Sequence, residues 1–135
     1  MSNLLSFDIS YLYEDSDEGI SLPITLSYGN VQVRTYAKVD TGAEFCVFSL
    51  ELGEELGLDV PRGIPKRMGS LTGTLDTFGH EIVIQSCGIA VQSFAYFVKY
   101  PNLPRNLLGR NGWIRKLRLG IVDYDNMIFL SPYGP

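Results

Sequence analysis

Apolar and polar positions alternate along much of the chain with the period of two that marks β-strands. Leu4 to Tyr13 reads Leu-Leu-Ser-Phe-Asp-Ile-Ser-Tyr-Leu-Tyr, partly alternating and rich in aromatics, and predicts a first strand. The acidic run Glu14-Asp15-Ser16-Asp17-Glu18-Gly19 ends it. Ile20 to Ser27 and Val31 to Val39 are two β-rich runs on either side of Tyr28-Gly29-Asn30, whose Gly-Asn pair suits a tight hairpin turn. Phe45 to Phe48 predicts a short apolar strand. Ser49 can then cap a brief helix over Leu50 to Leu56, with Glu51 in its first turn and Gly57 as its stop. Pro61 to Pro65 reads as a loop.

Lys66 to Leu75 holds Gly69 and Gly73 in a β-like context and predicts a mobile hairpin with a flexible tip. Glu81 to Gln85 and Ile89 to Tyr100 are further strands, the second carrying Phe94, Tyr96 and Phe97. Pro101 and Pro104 bracket a loop. Leu107-Leu108-Gly109 leads into a short helix expected near Asn111 to Leu117, and Ile121 to Tyr124 with Met127 to Leu130 form a final hairpin around Asp125-Asn126. About eight short strands, two minor helices and no repeats argue for one all-β, closed, barrel-like domain over residues 1–135. Within it, residues 1–19 form an N-terminal extension, 20–130 the core and 131–135 a tail.

Composition narrows the choice of partners. A hydrophobic fraction of 45% with 19% charged residues describes a globular domain able to bury its own core, and excludes disorder and coiled coil. The net charge is −4 and the 11 Lys and Arg are scattered, so no basic stripe exists for nucleic acid. Cys46 and Cys87, two isolated thiols, supply neither a disulfide framework nor a four-ligand metal site, and read as reduced core residues. No apolar run of about 18 residues occurs, and Met1 to Asp8 lacks a basic leader segment, so the expectation is a cytoplasmic protein with no membrane partner.

The candidate chemistry lies in Val39-Asp40-Thr41-Gly42-Ala43. Asp-Thr-Gly by itself is three residues that form a plain turn in many proteins. Here it follows one β run and precedes another, which puts the carboxylate on a loop between core strands. A two-glycine hairpin comes next, and then Leu107-Leu108-Gly109-Arg110 before a predicted helix. In that order these features resemble the retropepsins, the retroviral-type aspartic peptidases, over about Leu22 to Leu130, and look closest to single-domain bacterial members of that group.

The resemblance implies an acid-protease half with one or two short helices that works as a homodimer. It implies hydrolysis of peptide bonds in an extended substrate by a water held between two aspartates, with no cofactor and no metal. Two carboxylates about 3 Å apart cannot both ionise, so one activates water while its protonated neighbour polarises the carbonyl. Asp76-Thr77 is followed by Phe78, so the chain holds a single triplet and the second carboxylate would come from another copy across a two-fold axis.

Roles for other residues follow from the same resemblance. Asp40 would be catalytic, with Thr41 bonding across the axis and Gly42 allowing the backbones to approach. Ala43 and Glu44 would border the substrate, and Gly69, Ser70, Leu71, Thr72 and Gly73 would form a flap closing over it. Leu107, Leu108 and Gly109 would support the Asp40 loop from below, with Arg110 paired to Glu44. The plainer readings stay open: a surface hairpin at 69–73, a buried strand at 107–109, and an exposed Arg110. His80, the only histidine, reads as a satisfied strand residue without catalytic work, and Trp113 with Leu117 as the residues that pack the short helix into the core. A second function fits the same architecture, a non-proteolytic module that binds extended peptides or only associates.

Overall fold

A computed structural model of the chain describes residues 3–16, 18–70 and 73–134, with the backbone alone at position 70. In chain order its elements are β1 (Ile9–Leu12), β2 (Ser21–Tyr28), β3 (Val31–Val39), β4 (Val47–Phe48), α1 (Leu50–Glu55), β5 (Ile64–Ser70), β6 (Gly73–Ser86), β7 (Ile89–Val98), β8 (Leu107–Leu108), β9 (Leu117–Val122) and β10 (Met127–Pro132). Tight 3-10 turns lie at Val60–Arg62, Ile114–Lys116 and Asp123–Asp125.

The alternation in the sequence becomes the two faces of the strands. In β2, Leu22, Ile24 and Leu26 are buried while Ser21, Pro23, Thr25 and Ser27 lie on the half-covered outer face. Ala37 and Val39 do the same for β3, Ile82 and Ile84 for β6, Ala95 and Phe97 for β7. These side chains join Phe48, Leu56, Leu108, Ile128, Leu130 and the fully enclosed Trp113 in one core. Each buried Val, Leu, Ile or Phe among them contributes roughly 1.5–3 kcal/mol relative to exposure. Helix α1 starts as its sequence predicts, with the Ser49 Oγ accepting from the Leu52 N–H at 3.1 Å, and it drives Leu52 and Leu56 into that core.

The expectation of a closed barrel is corrected. The strands divide into a three-stranded sheet, β1-β10-β9, and a seven-stranded sheet, β2-β3-β8-β4-β7-β6-β5, with β5 at its edge. A three-residue ladder between β2 and β6, Thr25 to Ser27 against Val83 to Gln85, folds the larger sheet over without making it a continuous cylinder. The physical reason is strand length. Both β4 and β8 have two residues and meet each other at one position, Val47 with Leu107, which is too little ladder to carry a barrel wall.

A helix over Asn111 to Leu117 does not form either. Gly112 has φ +106°, in the left-handed region that breaks helical propagation, and Ile114–Lys116 makes a single 3-10 turn before β9 begins. Trp113 and Leu117 are buried all the same, the indole N–H donating to the Ser86 Oγ at 3.3 Å. Residues 4–8 stand outside β1, which is confined to Ile9–Leu12 and pairs with β10 from the far end of the chain. Just beyond β1 the buried Tyr13 donates its hydroxyl to the Asp123 carboxylate.

Candidate functional site

Strand β3 ends at Val39 and delivers Asp40 to a turn formed by Thr41 and Gly42. Residues 107–111 run parallel alongside this loop. Lys38 pairs with Leu107 and Val39 with Leu108, the Asp40 N–H donates to the Leu108 carbonyl at 3.0 Å, and Phe45 bridges to Asn111. Farther along, the Arg110 N–H donates to the Ala43 carbonyl at 2.9 Å and the Asn111 N–H to the Glu44 carbonyl at 2.8 Å. Gly109 is what allows the two segments to lie so close. A Cβ built there would sit 2.2 Å from the Phe45 carbonyl oxygen and 2.9 Å from that of Ala43. Leu107, Leu108 and Gly109 thus lie directly alongside the Asp40 loop.

The acid of the triplet does not sit in a closed pocket. Asp40 is half-exposed, Thr41 and Gly42 are exposed, and one Asp40 oxygen accepts from the Gly42 N–H at 2.9 Å. Among the described residues no aspartate or glutamate is buried, and no group of three or more His, Cys, Asp and Glu side chains converges. The expectation of an aspartic endopeptidase is therefore corrected. A dyad that shares one proton depends on carboxylates crowded together away from water, and among the described residues no buried acid is present to build one. The descriptors hydrolase, protease and aspartyl protease rested on that dyad and are corrected with it. A three-residue motif specifies a turn and an acid at its tip, whereas burial is a property of everything packed around it.

The predicted ion pair between Glu44 and Arg110 is corrected as well. Both side chains are exposed and they form no salt bridge, the loop being tied to 110–111 through backbone bonds instead. Ala43 is half-buried at the turn's exit. The flap candidates fall on the β5–β6 hairpin, where Gly69 and Gly73 are exposed, while Leu71, Thr72 and the side chain of Ser70 lie outside the described residues. His80 is a satisfied strand residue as expected, its Nε2 at 2.9 Å from the Val60 carbonyl and its ring against Phe97. Cys46 is fully buried and accepts from the Gly109 N–H, and burial pushes its thiol up to about 11, whereas Cys87 at the β6–β7 turn is only half-buried.

What joins the hairpin to the loop is a set of residues the motif does not contain. The Lys66 ammonium of β5 lies 4.9 Å from the centre of the Phe45 ring, and that ring meets Tyr96 edge-on at 5.0 Å. Phe94 packs edge-on against Tyr96 in turn at 5.5 Å. The spacing of Phe94 and Tyr96 at i and i+2 places them on one face of a strand, a signal that could have grouped them. Nothing in the sequence points Lys66 at Phe45. A cavity of about 510 Å³ opens elsewhere, between Arg34 and Tyr36 on one side and Gln85 and Cys87 on the other, and touches none of the predicted site residues.

No protein-family model matches the chain, and no curated protein sequence does. Among solved structures the chain is similar to EIAV protease complexed with the inhibitor HBY-793, with a TM-score of 0.55 over 72% of this chain and 86% of that one. Its fold resembles that of the retroviral aspartic proteases. At 18% identity the likeness is one of architecture alone. Among the described residues no helix is long and apolar enough to cross a membrane.

Proposed function

We propose that this chain is a non-proteolytic module of retropepsin-like fold, of the single-domain bacterial kind, that holds an extended peptide between the β5–β6 hairpin and the Asp40 loop. The observation that carries this reading is the contact of Lys66 with Phe45, which seats the stem of the hairpin over the loop while no acid among the described residues is buried. A peptide adds there as a strand, its backbone supplying affinity and its alternate side chains specificity. A second copy related by two-fold symmetry completes the cleft, because one chain contributes one loop and one hairpin.

The experiment is binding and turnover in the same tube. Fluorescein-labelled random peptides are followed by anisotropy, their termini by mass spectrometry, and the protein's mass by sedimentation. Saturable binding by a dimer with no new peptide termini is the expected result. New termini that vanish in Asp40→Asn would overturn the non-proteolytic reading, and absence of binding would overturn the peptide.

A further inference from the structure

Strand register defines which side chains such a peptide would meet. Ile64 pairs with Gly79, Lys66 with Thr77 and Met68 with Leu75, so these six lie on one face of the hairpin. Gly79 pairs with Tyr96, Tyr96 with Val47 and Val47 with Leu107, which continues the same face across β7, β4 and β8 to the strand beside the Asp40 loop. Arg67 and Asp76 project from the opposite face and are tied to each other at 3.0 Å. Thr77, Gly79, Tyr96 and Val47 are buried along this face, and its open positions apart from Lys66 are apolar: Ile64 is 62% exposed and Met68, Leu75 and Leu107 are half-buried.

Lys66 supplies the one cationic side chain in this set. It is half-buried, rests on the Phe45 ring and forms no ion pair with any described residue. An ammonium over an aromatic face is held electrostatically without being neutralised. Apolar neighbours reduce the screening it receives from water, so a carboxylate brought beside it gains more than at an open surface.

Resting on the peptide-binding reading above, we propose that Lys66 is the specificity-determining residue of this face and selects peptides carrying an aspartate or glutamate side chain flanked by apolar residues. The Phe45 ring positions the ammonium, and the apolar face accepts the neighbouring side chains of the same strand.

The test uses three pools of fluorescein-labelled heptapeptides, random except for a central Glu, Gln or Lys, and reads anisotropy with wild-type protein, Lys66→Gln and Lys66→Glu. Circular dichroism and thermal melts establish that each variant is folded. Wild type is expected to bind the Glu pool about tenfold more tightly than the Gln pool and the Lys pool most weakly, with the Glu preference falling at high salt. Lys66→Gln is expected to lose the discrimination and Lys66→Glu to invert it. Equal binding of all three pools to wild type, or an order that survives Lys66→Glu, would overturn the assignment of Lys66 and leave peptide binding standing. Failure of every pool to bind would overturn both.

Discussion

Gly109→Ala tests the central structural claim, that the 107–111 segment holds the Asp40 loop by close backbone approach. The added methyl would stand 2.2 Å from the Phe45 carbonyl oxygen and 2.5 Å from its carbon, more than an ångström inside ordinary contact. Both atoms belong to the backbone, so no side chain can rotate away, and the two segments must separate. Overpacking of this kind costs about 1–3 kcal/mol. Separation also weakens the bonds from Arg110 N–H to Ala43 and from Asn111 N–H to Glu44, at 2.9 and 2.8 Å, each with a net contribution of about 0.5–1.5 kcal/mol. The sum, roughly 2–6 kcal/mol, is a large part of the 5–15 kcal/mol that holds a typical domain together. With a urea slope of about 2 kcal/mol per molar, the middle of the usual range, the midpoint should fall by roughly 1–3 M. The single tryptophan, Trp113, is fully buried in the core and reports unfolding by fluorescence. Gly69→Ala is the control, since a Cβ there meets nothing within 4 Å. A Gly109→Ala midpoint indistinguishable from wild type would refute the close-approach argument.

Three further outcomes are expected. Asp40→Asn should change stability by less than about 1 kcal/mol, because the residue is half-exposed and the amide oxygen can still accept from Gly42, and a loss above about 3 kcal/mol would mean that the carboxylate works from a buried position. Arg110→Ala should leave thermal unfolding within about 0.5 kcal/mol of wild type, its side chain being exposed and without an ion-pair partner, and a marked drop would place it in a buried pair. Burial, and then the bond to Asp123, push the Tyr13 hydroxyl from 10 up to about 12, so the folded state keeps that proton longer than the unfolded chain does. The associated stability is complete below pH 10 and is lost between pH 10 and 12. Tyr13→Phe should flatten that part of the alkaline profile, and equal slopes in both proteins would remove Tyr13 as the cause.

The strands were legible wherever one face of a strand meets the core. Leu22, Ile24 and Leu26 carry the alternation of β2 openly, and Ser49 announces α1 through a capping bond that forms as expected. Pairing was less legible, because period-two alternation states which side of a strand is inside and says nothing about its neighbours. The β2–β6 ladder and the separation of β1, β9 and β10 into their own sheet depend on contacts far apart in the chain. At the site, Leu107-Leu108 was legible as a short strand, although the reason for the glycine that follows appears only once the Ala43–Phe45 backbone is seen crossing it. Asp40 was legible as an acid on a loop. Its exposure was not, since solvent access is set by packing that no triplet encodes. Lys66 escaped notice because its contact with Phe45 joins two elements that no local pattern connects.

The pairing of β1 with β10 also has a bearing on how the chain assembles. Ile9 faces Leu130 and Leu12 faces Met127, so β1 finds its partner only after β2 to β9 have been made. Closing so long a loop is entropically slow, and topologies rich in such contacts fold slowly. On the ribosome, Ile9 to Tyr13 must wait for the final hairpin to emerge, while β2 and β3, joined by a tight turn, can pair at once. Among the described elements the small sheet is therefore the last to be secured during synthesis, and it marks an interval in which an incomplete chain is open to wrong partners.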